Sequence, residues 1–384
     1  MALFIVAIYT STALAIIVSA LLGLLWILTA RFTLLPSLMS TSSVAVWASV
    51  LYLCFIAGLA YGDVSSDEAF STLRKYRELL FIPILSCFFT NERYRIFAWK
   101  AFLIASIFTL LSSYLMDFGM MSELSRPGSF SLKSRITHSI FIAFFIFFCG
   151  HKIADEKAYF SGYSLLLVMG IVNLFFIVQG RTGQLVFLVL VILFALQRLS
   201  KKGILAAVLT MTVFMMLFLN FSDKSSRVRE GITNTAIYLR SHDKKSEAGV
   251  AIRYKFWESA LKLIDEKPLF GHGTGGFGAG YSRVSGNKLD IKNPHNEFLM
   301  MAVQFGVVGL AVYIGFLFSL YSDAKKMAES EKWLAQGVLG TLIVTSLFNS
   351  PFLDHAEGHW FAVMIALCFG NVRNNNNLIQ GDSE

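Results

Sequence analysis

The feature that most constrains this chain is a succession of apolar runs, each near the length of a bilayer crossing and separated by short polar turns. Residues 2–30 form the first run, and others read as 43–61, 73–90, 98–118, 137–150, 160–178, 183–198, 203–221, 294–321, 334–350 and 357–371. Hydrocarbon offers the backbone no hydrogen-bond partner, so runs of this kind must be helices. Hydrophobic residues make up 55% of the 384 and charged residues only 15%, which excludes a soluble domain and sets aside any domain count based on length. The expected fold is an all-α polytopic membrane protein of about twelve spans, some shorter than the ~20 residues of a full crossing.

Basic turns set the expected orientation. Arg198, Lys201 and Lys202 form the densest, and Lys325, Lys326 and Lys332 another; both should be cytoplasmic. The net charge of +8 is then a topology signal and calls for no nucleic-acid partner. Segment 222–293, one span from each turn, is forced outside. The chain divides into N-terminal spans 1–221, a large outside loop 222–293, C-terminal spans 294–371 and a polar tail 372–384 expected to be disordered. Splitting residues 2–30 at Thr10–Thr12 gives twelve spans and puts Arg31 inside; leaving the run whole gives eleven. The N-terminus lacks a basic n-region and a cleavage site and reads as a retained anchor. Cys54, Cys87, Cys149 and Cys368 all lie in apolar segments and read as inert thiols.

The outside loop is 72 residues long, and loops of that size are usually functional. Its front half, 222–249, is polar. In the following stretch Ile252, Phe256, Ala260, Leu263 and Ile264 share one face opposite Lys255, Glu258 and Lys262, an amphipathic helix stopped by Pro268. Next, GHGTGGFGAG holds six glycines in ten residues, among them Gly273 beside His272. A dinucleotide fingerprint fails there for want of a βαβ context. A flexible turn and a backbone nest for phosphate or sugar remain open.

The stretch NPHNEFLMMAVQFGVVGL, 293–310, carries the sharpest candidate. Asn293 reads as an N-cap and Pro294 as the first helical residue, which puts His295 in the first turn. There the macrodipole keeps an imidazole neutral, as a general base requires. His295, Leu299, Ala302, Gly306 and Gly309 share a stripe whose small residues suit close helix packing. A histidine that simply hydrogen-bonds at the interface is the other reading. Arg181 sits in a short outside turn, QGRTGQ, and Arg253 opens the amphipathic helix. Together the three suit a lipid-linked pyrophosphate donor, with guanidinium groups on the phosphates and the imidazole taking a proton from an attacking hydroxyl.

Other candidates stay ambiguous. Asp63, Asp67 and Glu68 are loop acids. Arg74, Lys75, Arg77 and Glu78 open a span from the outside against the positive-inside bias, which suits either an anionic headgroup or plain anchoring. Arg126, Lys133, Arg135 and His138 form another outside cluster. Asp354, His355, Glu357 and His359 are metal-ligand types without H-E-x-x-H spacing, and a wet interfacial loop is the favoured reading there.

GRTG at 180–183, the Arg253-x-x-x-Trp257 helix, FGHGTGGF and PHNEFL…FGVVGL together resemble the O-antigen ligase and polymerase family of bacterial envelopes, over roughly 178–369. The resemblance implies a multi-pass inner-membrane glycosyltransferase of GT-C-like build, with its large loop and active site facing the periplasm. It implies an undecaprenyl-diphosphate-linked glycan donor, a lipid A–core acceptor for a ligase or another lipid-linked repeat for a polymerase, and an inverting, metal-independent displacement without cofactor. It assigns His295 as base and Arg181 and Arg253 as diphosphate contacts; Arg74, Arg77, His272, Gly273 and Asn296 are expected around the substrate. The late position of the large loop favours a ligase. A transporter without chemistry is the rival of a different class, weakened by the absence of internal repeats.

Overall fold

The computed structural model describes residues 1–123, 130–241, 251–286 and 291–370; the tail, Arg126 and part of the polar loop lie outside them. Among the described residues every regular element is a helix, and each apolar run lands on one. The first run divides where expected: Ser11, in extended conformation, separates Ala2–Thr10 from Thr12–Leu28. By length and composition five helices suffice to cross a membrane: Glu92–Asp117, Arg135–Glu156, Arg181–Arg198, Lys201–Phe221 and Glu297–Ala324. A sixth joins them if Thr12–Leu28 and Arg31–Thr41, bent by 79°, count as one span. Ser43–Gly58 and Gly162–Ile177 are apolar but shorter.

Two expectations need correcting locally. The front of the large loop, read only as polar, forms helix Ser226–Ser241. The expected 73–90 span begins later, at Glu78. The preceding charged stretch is its own helix, Ser66–Lys75, capped by Ser65 and carrying Asp67 and Glu68 in its first turn and Arg74 and Lys75 in its last. That charge order complements the helix dipole, so it ends as a polar helix and does not merge into the apolar one.

The chain forms two compact units. The first comprises Met1–Ala15 and Phe97–Asp243. Its core is aromatic: Tyr9 packs on Phe141 at 4.8 Å between ring centroids, and Trp99 stacks on Phe148 at 5.5 Å. The glycines of GRTG have a packing reason. A Cβ at Gly180 or Gly183 would come within 2.1 and 2.3 Å of Ser139 side-chain atoms, so only glycine lets the 181–198 helix lie this close to the 135–156 helix. Lys133 and His138, expected in an outside basic cluster, are instead buried, with Lys133 Nζ donating to Thr12 Oγ1 (3.0 Å) and His138 Nε2 bonded to Asn173 Oδ1 (2.8 Å).

The second unit comprises Ile16–Ile96 and Lys244–Glu384. Here the 297–324 helix packs against the 43–58 and 329–348 helices, while His355–Phe369 packs on Glu78–Phe89. The amphipathic helix forms as expected, Ala251–Glu266, with Phe256, Ala260 and Leu263 buried.

The glycine-rich turn and the 297–324 helix explain one another. That helix is broken at Gly306, whose φ of +63° and ψ of −155° are open only to glycine. The break strips Val303 O, Gln304 O and the Val307 N–H of their helical partners. Residues 268–273 replace them: His272 N–H donates to Val303 O (2.9 Å), Gly273 N–H to Gln304 O (2.8 Å), and Val307 N–H to Pro268 O (2.8 Å). A broken helix at membrane depth is tolerated only when its freed groups are satisfied in this way. Gly306 is therefore a deliberate interruption and not, as its place on the small-residue stripe suggests, a spacer between straight helices.

Candidate active site

The nest reading of the glycine-rich turn does not survive. Every N–H from Gly271 to Gly276 is held by the chain itself: Gly271 by Lys267 O, His272 and Gly273 as above, Thr274 by Gly58 O, Gly275 by Gln304 Oε1 and Gly276 by Gly273 O. His272 is buried with Nε2 on Leu263 O at 2.9 Å, and a Cβ at Gly273 would sit 2.4 Å from Gly62 Cα. Both residues are committed to packing, and none of the backbone N–H groups of 271–276 is left for a phosphate.

His295 stands differently. The helix begins at Glu297 with Asn296 as its N-cap, so Pro294 and His295 precede it and the first-turn dipole argument does not apply. Asn293 instead closes an Asx turn: its Oδ1 accepts the His295 N–H (2.7 Å) and the Ser350 hydroxyl (2.9 Å). That turn holds His295 at a φ of +54°. A left-handed non-glycine residue costs on the order of 1–3 kcal/mol and persists only where its surroundings over-determine it. Here they do. Trp257 Nε1 donates to Pro294 O (3.0 Å), Asn296 Nδ2 donates to Leu347 O (3.2 Å), and the imidazole stacks on Phe256 with ring centroids 6.2 Å apart.

The imidazole makes one side-chain hydrogen bond among the described residues, from Nδ1 to Asn349 Oδ1 at 3.2 Å. Its pKa lies below the ordinary histidine value, first because the ring is buried, second because the Arg253 guanidinium lies near; the Asn349 contact opposes this weakly. The ring is thus neutral at pH 7, the state expected of it, for a reason other than the dipole. Arg253 itself donates from Nη1 to Phe348 O (2.9 Å), which fixes the guanidinium beside the histidine.

Segment 347–350 is the surface on which all of this rests. Leu347 O holds Asn296, Phe348 O holds Arg253, Asn349 holds His295 and Ser350 holds Asn293. Behind it, Asn349 Nδ2 donates to Glu357 Oε2 at 2.9 Å. Asn349 and Glu357 were not singled out from sequence for this role, because nothing in their spacing ties them to His295.

The remaining candidates separate. Arg181 starts its helix in the first unit, half-buried, with Nη1 on Arg227 O at 3.3 Å. Arg74 is exposed at the end of the 66–75 helix, and Arg77 is the N-cap position of the 78–89 helix. Asn296 has both ends of its amide engaged, on the Leu299 N–H and on Leu347 O, so its visible work is capping. Asp63 is exposed and paired with Lys267, which holds its carboxyl below the usual range.

The turn expected to be a wet loop is not one. Asp354 caps the 355–369 helix, and its first turn is buried against Glu78, with His355 Nδ1 on Glu78 Oε1 at 2.8 Å and His359 Nδ1 3.4 Å from the same oxygen. The ligand atoms of these three lie within 4.8 Å of one another. However, His359 Nδ1 is also 2.6 Å from the His355 carbonyl, so that nitrogen carries a proton and the group reads as a hydrogen-bonded buried acid.

Residues 165–314 match the protein-family model described as O-antigen ligase. The chain is also 25% identical over 194 residues to an uncharacterized protein of Haemophilus influenzae, covering 47% of this chain and 48% of that one. It is 25% identical over 136 residues to an O-antigen ligase of Pseudomonas aeruginosa, covering 34% and 32%. The matches thus span about half, or less, of those relatives' lengths. GRTG, the Arg253 helix, the glycine-rich turn and the His295 segment all fall inside the matched residues, and together with these similarities they support assignment of the chain to the O-antigen ligase family.

Proposed function

We propose that the protein is a ligase that transfers glycan from undecaprenyl diphosphate to lipid A–core on the periplasmic face of the bacterial inner membrane. The observation that carries this reading is a neutral, conformationally held His295 whose Nε2 has no partner among the described residues, beside a guanidinium anchored to the same loop. In the reaction an acceptor hydroxyl attacks the anomeric carbon and its proton passes to His295. The bond from that carbon to the diphosphate oxygen breaks, with inversion. Arg253 meets the charge that develops on the departing diphosphate, where fixed cations act most strongly, and the family resemblance gives Arg181 the same part. Twelve spans, with 222–293 outside, would present the family-matched segments to that face. The similarity to a protein named as a ligase favours this over a polymerase extending lipid-linked repeats.

The test is a glycolipid gel from a deletion strain complemented with wild type or His295→Ala. Loss of the long-chain ladder with accumulation of lipid-linked polymer supports the ligase, and a single-repeat cap on the core indicates the polymerase. An unchanged ladder with His295→Ala removes the base assignment.

A further inference from the structure

A histidine acts as a base through one nitrogen only, and which nitrogen is available depends on where the other one's proton is held. Around His295 a chain of two side chains decides this. Glu357 is buried behind Asn349. The Asn349 Nδ2 donates to Glu357 Oε2 at 2.9 Å, so the amide turns its NH2 toward the carboxyl group. Its carbonyl oxygen then faces His295 Nδ1 at 3.2 Å, and a carbonyl oxygen accepts only. Nδ1 must carry the ring proton, and Nε2 keeps its lone pair.

From this geometry we infer that Asn349 and Glu357 are positioning residues for the transfer reaction: Glu357 fixes the orientation of the Asn349 amide, and Asn349 fixes the tautomer of His295 so that Nε2 faces the acceptor hydroxyl as base. The inference rests on the reading of His295 as the base and adds which nitrogen acts and what sets it. It also explains why segment 347–350, outside the family-matched residues, carries so many contacts to the His295 loop. As the ring takes up the acceptor's proton, Asn349 continues to accept from Nδ1, with Glu357 one hydrogen bond beyond holding the amide in place. Among the charged groups on the surrounding elements, Arg253 acts on the ring directly and opposes protonation, and Glu297 lies two residues further along its own segment.

The test uses the full chain, purified and assayed with its lipid-linked donor and lipid A–core acceptor. Glu357→Gln offers Asn349 either a carbonyl or an NH2, so the amide is no longer dictated; kcat should fall roughly tenfold with KM for donor unchanged. Asn349→Asp keeps an acceptor on Nδ1 but sets two carboxylates against each other. The double variant Asn349→Asp/Glu357→Gln restores a donor–acceptor order, since the amide introduced at position 357 can donate to the new carboxylate. It should recover kcat above either single variant, and its acidic limb should move to higher pH because a carboxylate now holds the imidazolium. A purely structural role predicts loss of stability without recovery or pH shift. Wild-type kcat and pH profile in Asn349→Leu would overturn the positioning role while leaving the base intact. Full activity in His295→Ala would overturn the base itself. Should a variant not fold, nitrogen-15 NMR of histidine-labelled wild type, with His295→Gln for assignment, reads the tautomer directly. A protonated Nδ1 with bare Nε2 is the expected result, and the reverse overturns the proposal.

Discussion

Two stretches of backbone meet the 297–324 helix and are used in opposite ways. At its break, residues 268–273 give new partners to Val303 O, Gln304 O and the Val307 N–H, and their glycines let backbone touch backbone. At its start, residues 293–296 are held just as firmly, yet they leave an imidazole with one nitrogen uncommitted among the described residues and a non-glycine residue in the left-handed region. Both are tight turns with unusual dihedrals. The first has its N–H groups from 271 to 276 all paired; the second leaves one ring nitrogen without a partner among the described residues, and an unfinished hydrogen-bond account inside a rigid frame is where chemistry is expected.

The largest expected effect falls on the second turn. His295→Ala should lower transfer by about 10²–10⁴-fold, the usual worth of a positioned general base. The protein should remain monodisperse in detergent; turnover of purified His295→Ala near the wild-type rate would make the two turns equivalent.

Gly273→Ala probes the first turn. The new Cβ would lie 2.4 Å from Gly62 Cα at a φ of +79°, so destabilisation of about 2–4 kcal/mol is expected. Heating followed by size-exclusion chromatography measures it, and turnover per surviving molecule should be unchanged. A fall in turnover without loss of stability would return this turn to the active site.

The pH dependence sharpens the contrast further. Burial and Arg253 lower the His295 pKa, so the neutral base persists below the ordinary value of 6.5. The rate should hold as pH falls to that point and drop only beyond it, by tenfold per unit once the ring is mostly protonated. Stability follows the same sign: a group favoured neutral in the fold costs stability as acid charges it, below the unfolded value. A half-point above 6.5 would contradict this.

The smallest effect is at a support. Trp257→Phe removes the donor to Pro294 O and should cost about 1 kcal/mol of stability, read as a modest fall in melting temperature. It should also slow transfer slightly, by loosening the loop that carries His295. A stability change with no effect on rate would show that the remaining contacts keep His295 in place without that bond.

Much of the fold was legible because it depends on neighbours along the chain. The division near Thr10–Thr12, the amphipathic helix ending before Pro268 and the apolar runs all appear close to where their patterns put them. The candidate site was legible by residue type but not by conformation. In Asn293-Pro294-His295-Asn296, two asparagines compete for the cap. Asn293 lost because its side chain closes a turn two residues on, with Ser350 sharing the same oxygen from a distant segment. The turn carrying Asp354, His355, Glu357 and His359 reads as a wet loop in sequence because the acid it packs on, Glu78, lies 277 positions away from His355.

By itself, then, the sequence determined that the chain carries helices apolar enough to cross a membrane, where most of its helices fall, and which histidine and arginines to watch, since hydropathy, helix period and side-chain chemistry act over a few residues. Tertiary structure alone decided that the glycine-rich turn is full and the His295 turn is not. It also decided that Asn349 and Glu357 choose the nitrogen left open. The bonds that tie Arg253 to Phe348 and His295 to Asn349, at 2.9 and 3.2 Å, join residues 95 and 54 positions apart and have no trace in local pattern.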